Sequence, residues 1–195
     1  MAVLLRRGFK TWCENAARGY RRELEIDLNG RLDPRLLAEH LGITIWTPFD
    51  VPGLDRRDAQ HLTVTGRDEW SAATLRSGLA NLIIVNTGHS LERQNNSLAH
   101  EIGNIVLEHA PAKMYLTDDG LMMMSEYNPV HEGEANCFAG AVLVPRDALL
   151  TLIRRGMNDG EAGTYFGVSP ELIQMRRNMT GVDIQESRRR GTWAP

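Results

Sequence analysis

Residues 98–109 read LAHEIGNIVLEH, and the rest of the chain is best understood outward from them. Wound as an α-helix, Leu98, Ile102, Ile105 and His109 fall on one stripe, while His100 and Asn104 lie one turn apart on the opposite side. The apolar positions anchor such a helix in a core. His100 and Asn104 then project together from its other face, with Glu101 beside them.

That layout is the one in which a helix presents metal ligands. In the HExxH pattern of zinc peptidases, two His side chains at i and i+4 bind the ion and the Glu takes a proton from the attacking water. Here the pattern reads HEIGN, with Asn104 at the second His position. A second stretch, EGEANCFAGAVLVP from Glu132 to Pro145, also reads as a helix. Glu132, Asn136, Ala139 and Leu143 share one of its faces, and Ala135, Phe138 and Val142 another. Glu132 is therefore free to point away from the Phe138 side. A carboxylate from a second helix is the usual third ligand beside an HExxH helix. Glu134 competes for that role, but it lies about 160° around the helix from Glu132, so the two cannot face one ion.

Around these segments the chain reads as an ordinary globular sequence of 195 residues, with a net charge of -3 and 24% charged residues. That charge carries no global sign of nucleic-acid or membrane binding. Cys13 and Cys137 are far apart and form no CxxC pair, which suits a reducing compartment. No apolar run reaches membrane-span length and Met1–Lys10 makes no signal peptide, so the expected location is the cytoplasm.

Helices are expected at Gly8–Glu25, from Pro34 to Leu41, at Leu91–His109, at His131–Val144, from Pro145 to Arg155, at Asp159–Phe166 and at Pro170–Asn178. In the first, Phe9, Trp12, Ala16 and Tyr20 form the apolar stripe, with Arg18, Arg21 and Arg22 on the outer face. Strands are expected at Ile43–Thr47, Leu62–Thr65, Ala72–Arg76 and Leu82–Val85, the last apolar enough to be buried on both faces. Pro48–Arg57 reads as a loop. Pro111–Pro129, with its turn at Asp118, Asp119 and Gly120 and its run Met122, Met123, Met124, reads as a flap or one edge strand. The tail from Arg188 to Pro195 is expected to fray.

Taken together the chain resembles the ImmA/IrrE family of metallopeptidases. The resemblance runs in order through GFKTW near Gly8, NLIIVN, RQNNSLAHEIGN, LEHAP, EGEANCFAGAVLVP and FGVSPELIQMRRNMTG. It implies an α+β, zincin-like fold: mostly helical, with a small sheet beside the active-site helix and extra C-terminal helices. It divides the chain into a metallopeptidase domain, 1–155, and a helix-turn-helix-like segment, 156–195, packed on it. It implies a zinc ion (Zn2+) held by His100, Glu132 and the residue at position 104, with Glu101 as general base. Asn104 is the departure, since a carboxamide oxygen is a poorer zinc ligand than an imidazole nitrogen. His109, on the apolar stripe, is expected to face away from the site as a buried or helix-end histidine. His131, next to Glu132, reads as a surface residue at a helix start; swinging toward a metal is its other reading. His40, His61 and His89 read as structural or exposed.

The activity implied is endoproteolysis of a helix-turn-helix repressor, switching on phage, mobile-element, defence or stress genes. A non-catalytic protein that sequesters the repressor is the alternative, and Asn104 favours it. A third reading, DNA binding through Arg176 and Arg177 in the C-terminal helices, is weaker, because the net charge is not basic and a helical hairpin packed on the core explains the same residues. The other basic runs (Arg6, Arg7, Arg18, Arg21, Arg22, and Arg188–Arg190) read as solvated faces.

Overall fold

A computed structural model describes residues 5–77, 80–109, 113–116, 122–125 and 128–191. Among them are nine α-helices, a three-stranded sheet and a two-stranded ribbon, which makes the architecture α+β, zincin-like and mostly helical. The sheet holds β1 (Ile43–Trp46), β2 (Ala72–Ser77) and β3 (Ala80–Val85) in the order β1-β3-β2. β3 is central, parallel to β1 and antiparallel to β2. Its Ile83 and Val85 are buried on one face, while Leu82 and Ile84 on the other are only half-buried, so the burial expected on both faces is complete on one alone.

Helix α4 (Leu91–Val106) crosses beside β2 and β3. Ser90 caps it, its side chain accepting from the Arg93 amide, which satisfies one of the free first-turn donors. Arg35, on α2 (Pro34–His40), donates to the side-chain oxygens of Asn95 and Gln94 at 3.1 and 2.9 Å. Asn95 in turn donates to the Gly167 carbonyl at 2.9 Å. The polar run RQNN therefore ties α4 to both ends of the chain.

Helix α5 (Pro129–Leu143) starts at Asn128, whose side chain accepts from the amides of Val130 and His131. From Cys137 to Leu143 it is buried on every side, because it lies among α1 (Phe9–Glu23), α4 and α8 (Pro170–Thr180). Gly103 lets α4 come this close. A Cβ there would sit 2.9 Å from Phe138 Cδ1 and 3.4 Å from the Ala135 carbonyl, tighter than packed side chains tolerate. Beyond α5, α6 (Arg146–Arg154), α7 (Asp159–Phe166), α8 and α9 (Val182–Gly191) share an apolar cluster with Ala99 of α4, built on Leu149, Leu152, Phe166 and Ile173.

Several local expectations change. Leu62–Thr65 is not a strand: Asp55 caps a helix, α3 (Arg56–Thr63), by accepting from the Asp58 amide. Ala59 and Thr63, one turn apart, are that helix's buried face. The loop expected from Pro48 therefore shrinks to a short 3-10 turn and its exit. The buried stripe of α1 is Phe9, Cys13, Ala17 and Arg21, one step round from the expected one, and Trp12 is largely exposed. Arg21 is no surface cation. Its guanidinium donates to the carbonyls of Ala17 and Gly30, and burial pulls its pKa down to about 10. α9 carries helix through to Gly191, into the stretch expected to fray; residues 192–195 lie outside the described ones. Of Pro111–Pro129, strands β4 (Lys113–Leu116) and β5 (Met122–Ser125) pair antiparallel. The turn at Asp118, Asp119 and Gly120 lies outside the described residues, as do the side chains of Met122, Met123 and Met124.

A tight seam joins α3 to the turn that leads into α4. The Asn86 side chain donates to the carbonyls of Arg67 and Trp70 and accepts from the Gly88 amide. Gly88 then passes so close to Thr63 that a Cβ would overlap the Thr63 carbonyl oxygen.

Candidate metal centre

His100 and Asn104 leave α4 on the side that faces the start of α5. His100 Nδ1 lies 3.0 Å from Asn136 Oδ1, and its Nε2 lies 3.5 Å from Glu132 Oε2. The Asn136 oxygen has no hydrogen to give, so Nδ1 carries the proton. Nε2 then turns toward the Glu132 carboxylate, and that contact is satisfied by a further proton or by a shared cation. The separation suits a cation: two donors on a tetrahedral zinc at ~2.0–2.1 Å are about 3.3–3.4 Å apart. An orienting partner on the far nitrogen is what metal-binding histidines generally have. Glu134 instead faces elsewhere, taking an ion pair from Arg6 at 3.0 Å and meeting His109 Nε2 at 3.1 Å.

Glu101 points toward the sheet. Thr74 Oγ1, on β2, donates to its Oε2 at 2.5 Å. Two residues along the same strand, Arg76 Nη2 donates to the Asn104 backbone carbonyl at 2.8 Å. Arg76 Nε is buried with no hydrogen-bond partner among the described residues. The edge strand thus grips the helix on both sides of the Glu101–Asn104 turn.

His109 is placed differently from its expected position. α4 ends at Val106, and Glu108 adopts φ 55, a left-handed conformation that reverses the chain at helix ends. The His109 amide then bonds back to the Asn104 carbonyl at 3.0 Å. Its ring, 7% exposed, comes round to the Asn104 side chain at 3.0 Å. His131 stacks flat on it, with centroids 4.2 Å apart and planes at 6°, so His131 is half-buried ring packing and not a free surface group. Burial pushes the His109 pKa down, partly opposed by its hydrogen bond with Glu134.

Two of the three ligand positions that the resemblance implies therefore converge, at His100 and Glu132, and the third is the Asn104 carboxamide. Among the described residues, no group of three or more His, Cys, Asp or Glu side chains is arranged to hold a metal ion. Asn104 Oδ1 lies against His109 Nδ1 at 3.0 Å, so the donors that converge are the His100 nitrogen and the Glu132 carboxylate, and they do not fit a two-histidine zinc site. Thr74, Asn136 and Glu134 as a partner of His109 were not singled out from sequence. Asn136 shares the face of Glu132, which is the one signal that pointed to it.

Arg176 and Arg177 are committed within the fold. Arg176 is 2% exposed, pairs with Glu14 of α1 and donates to the Val144 carbonyl. Arg177 forks onto Asp183 and also meets Asp159. His40 pairs with Glu23, and His89 meets the Trp70 carbonyl. No single helix among the described residues is long and apolar enough to cross a membrane.

Comparison with known proteins places these elements together. Residues 38–178 match the family model of the IrrE N-terminal-like domain, a metallopeptidase-like family that is typically zinc-dependent. No curated protein matches the chain. The matched span holds β1 to β5 and α3 to α7 complete, together with most of α8, and it includes His100, Glu101, Asn104 and Glu132. Covering well over half of the sequence, it shows that this chain belongs to the IrrE N-terminal-like peptidase family.

Proposed function

We propose that this protein is a metal-dependent endopeptidase of the ImmA/IrrE type whose substrate is a helix-turn-helix repressor, cleaved to release phage, mobile-element, defence or stress genes. The observation that carries the reading is the facing pair His100 Nε2 and Glu132 Oε2 at 3.5 Å, one residue from a carboxylate anchored by Thr74. His100 and Glu132 would hold the ion, with Asn104 as the weak third donor. Bound there, a divalent ion polarises a peptide carbonyl and acidifies water.

The chain's own groups do the rest. Glu101 accepts the proton of the attacking water and returns it to the leaving amine. Thr74 occupies one carboxylate oxygen of Glu101 and leaves the other for that transfer. Asn136 fixes the His100 tautomer, so that Nε2 keeps its lone pair for the ion.

A second reading, repressor capture without cleavage, is favoured by Asn104 alone. Incubating the protein with Zn2+ and a candidate helix-turn-helix repressor, followed by mass spectrometry, separates the two. Discrete fragments with the wild type and none with Glu101→Gln support the enzyme. An intact repressor that co-elutes with the protein, and is cut only by Asn104→His, supports capture.

A further inference from the structure

His100 is not alone on its face of α4. Asn96 lies four residues before it, one turn nearer the start of the helix. On α5 the matching row runs Glu132, Asn136, Gly140, and His100 meets the first two of these. The third has no side chain, and α8 fills the gap: Met175 Cε comes within 3.1 Å of where a Gly140 Cβ would stand. Met175 and Asn96 then line one cleft of about 760 Å³. At 1.5 Å per residue, Asn96 brings that cleft to within about 6 Å of His100 along the axis of α4.

The cleft is lined by Val168, which is buried, and by Leu172 and Met175, which are half-buried. Asn96, also half-buried, makes no side-chain hydrogen bond among the described residues. Apolar walls with a few polar groups are the usual make-up of a ligand pocket. The charges around it are unequal. Arg93 belongs to the lining but is turned to Ser71 and Asp68, and Glu92 has Arg31 near it. Glu171, exposed in the first turn of α8, has no ion pair among the described residues. The Ser169 hydroxyl and its own amide hydrogen-bond its carboxylate and hold it below the usual carboxylate range.

Resting on the metallopeptidase reading above, we propose that this cleft is a specificity subsite of the same centre, taking from the bound polypeptide an apolar side chain on Leu172 and Met175 and a neighbouring basic one at Glu171. An extended chain advances ~3.3 Å per residue, so the apolar residue stands about two residues from the bond lying at His100 and Glu132. The Asn96 carboxamide is then placed to meet the main chain between them. The flexible thioether of Met175 accepts leucine, methionine or phenylalanine, whereas an acidic side chain would give up its water there with no partner in return.

The test reads binding at Met175 directly, without turnover. Protein labelled with 13C at the methionine methyls gives one signal for Met175, assigned by its loss in Met175→Leu. The probes are acetylated, amidated hexapeptides: Gly-Gly-Leu-Arg-Gly-Gly, and a relative with Asp in place of Leu. The Leu peptide should shift the Met175 methyl and bind about tenfold more tightly than the Asp peptide. Leu172→Asp, its fold checked by circular dichroism, should abolish that preference, and Glu171→Gln should weaken the Leu peptide by about threefold. Equal binding of the two peptides, or a Met175 methyl that neither moves, overturns the proposal. A methyl that moves with protein concentration alone assigns the cleft to a second copy of the chain and overturns it as well. The metallopeptidase reading fails separately: with Zn2+ added, a Leu peptide that binds at Met175 yet stays whole in the Asn104→His variant leaves the cleft its ligand and removes the peptidase.

Discussion

The His109 ring lies between the Asn104 amide and Glu134 and against His131, and desolvation drives its pKa below the ordinary 6.5. A base that resists protonation when folded contributes stability that is full above its unfolded pKa. That contribution is lost as the pH falls toward the folded value, since the unfolded chain then binds the extra proton. The urea midpoint of metal-free protein should therefore decline below a pH of about 6.5, and His109→Gln should flatten that part of the profile. Thr74 makes a separate prediction. Thr74→Val keeps the shape of the strand residue but frees the Glu101 carboxylate, so kcat on a cleavable repressor should drop roughly tenfold with little change in KM. His100 and Glu101 were legible in the sequence because they sit at fixed offsets on one helix. Thr74 was not, since its contact joins residues 27 apart across a sheet edge. His109 is buried at the helix end as expected, but its turn back to Asn104 was not legible, because Glu108 takes a left-handed conformation that nothing in a glutamate announces.

The meeting of α4 with α5 depends on Gly103 more than on any charged group. Gly103→Ala should force α5 away at Phe138, cost about 1–3 kcal/mol in chemical denaturation, and weaken metal binding by spreading His100 from Glu132. Arg176 holds α8 to α1 through Glu14, nearly dry on both sides. Arg176→Ala strands that carboxylate and should cost about 3–5 kcal/mol; a mere loss of DNA affinity with unchanged stability would contradict the packing described. Most helices were legible from periodicity and from the prolines that open them, as at Pro34 and Pro170. α3 was not, because Leu62 and Val64 suggested alternation. The Asp55 cap and the Ala59–Thr63 spacing decide it instead. The stripe of α1 was shifted for a comparable reason: Arg21 is buried against the Gly30 carbonyl, which only the fold brings to it.

The family span begins at residue 38, yet α1 lies before it and supplies Phe9, Cys13 and Ala17 to the same core as Phe138 and Val142. Cys13 and Cys137 meet there, both shut off from solvent, and the hydrogen bond with the Cys137 sulfur, together with burial, raises the Cys13 thiol above its ordinary range. A protein lacking residues 1–24 should expose the α1 side of α5 and lose its cooperative thermal transition. The full chain should instead unfold once, with Trp fluorescence and far-ultraviolet dichroism coincident. The order of the elements was readable because each motif sits on its own segment. The long-range ties, such as Arg35 to Gln94 and Asn95, were not readable, because they join helices remote in sequence.

The seam at Gly88 has a bearing on how the protein tolerates change. Backbone there runs against the Thr63 carbonyl with no room for a single carbon, and the opposing atom belongs to main chain that no rotamer can move aside. Selection on a library randomised at position 88 would consequently return one codon family, while Gly19 and Gly191, with open space around them, would drift freely. Of the glycines in this chain, that one works as a lock on the approach to the helix bearing His100, and natural variation across it should be silent or absent.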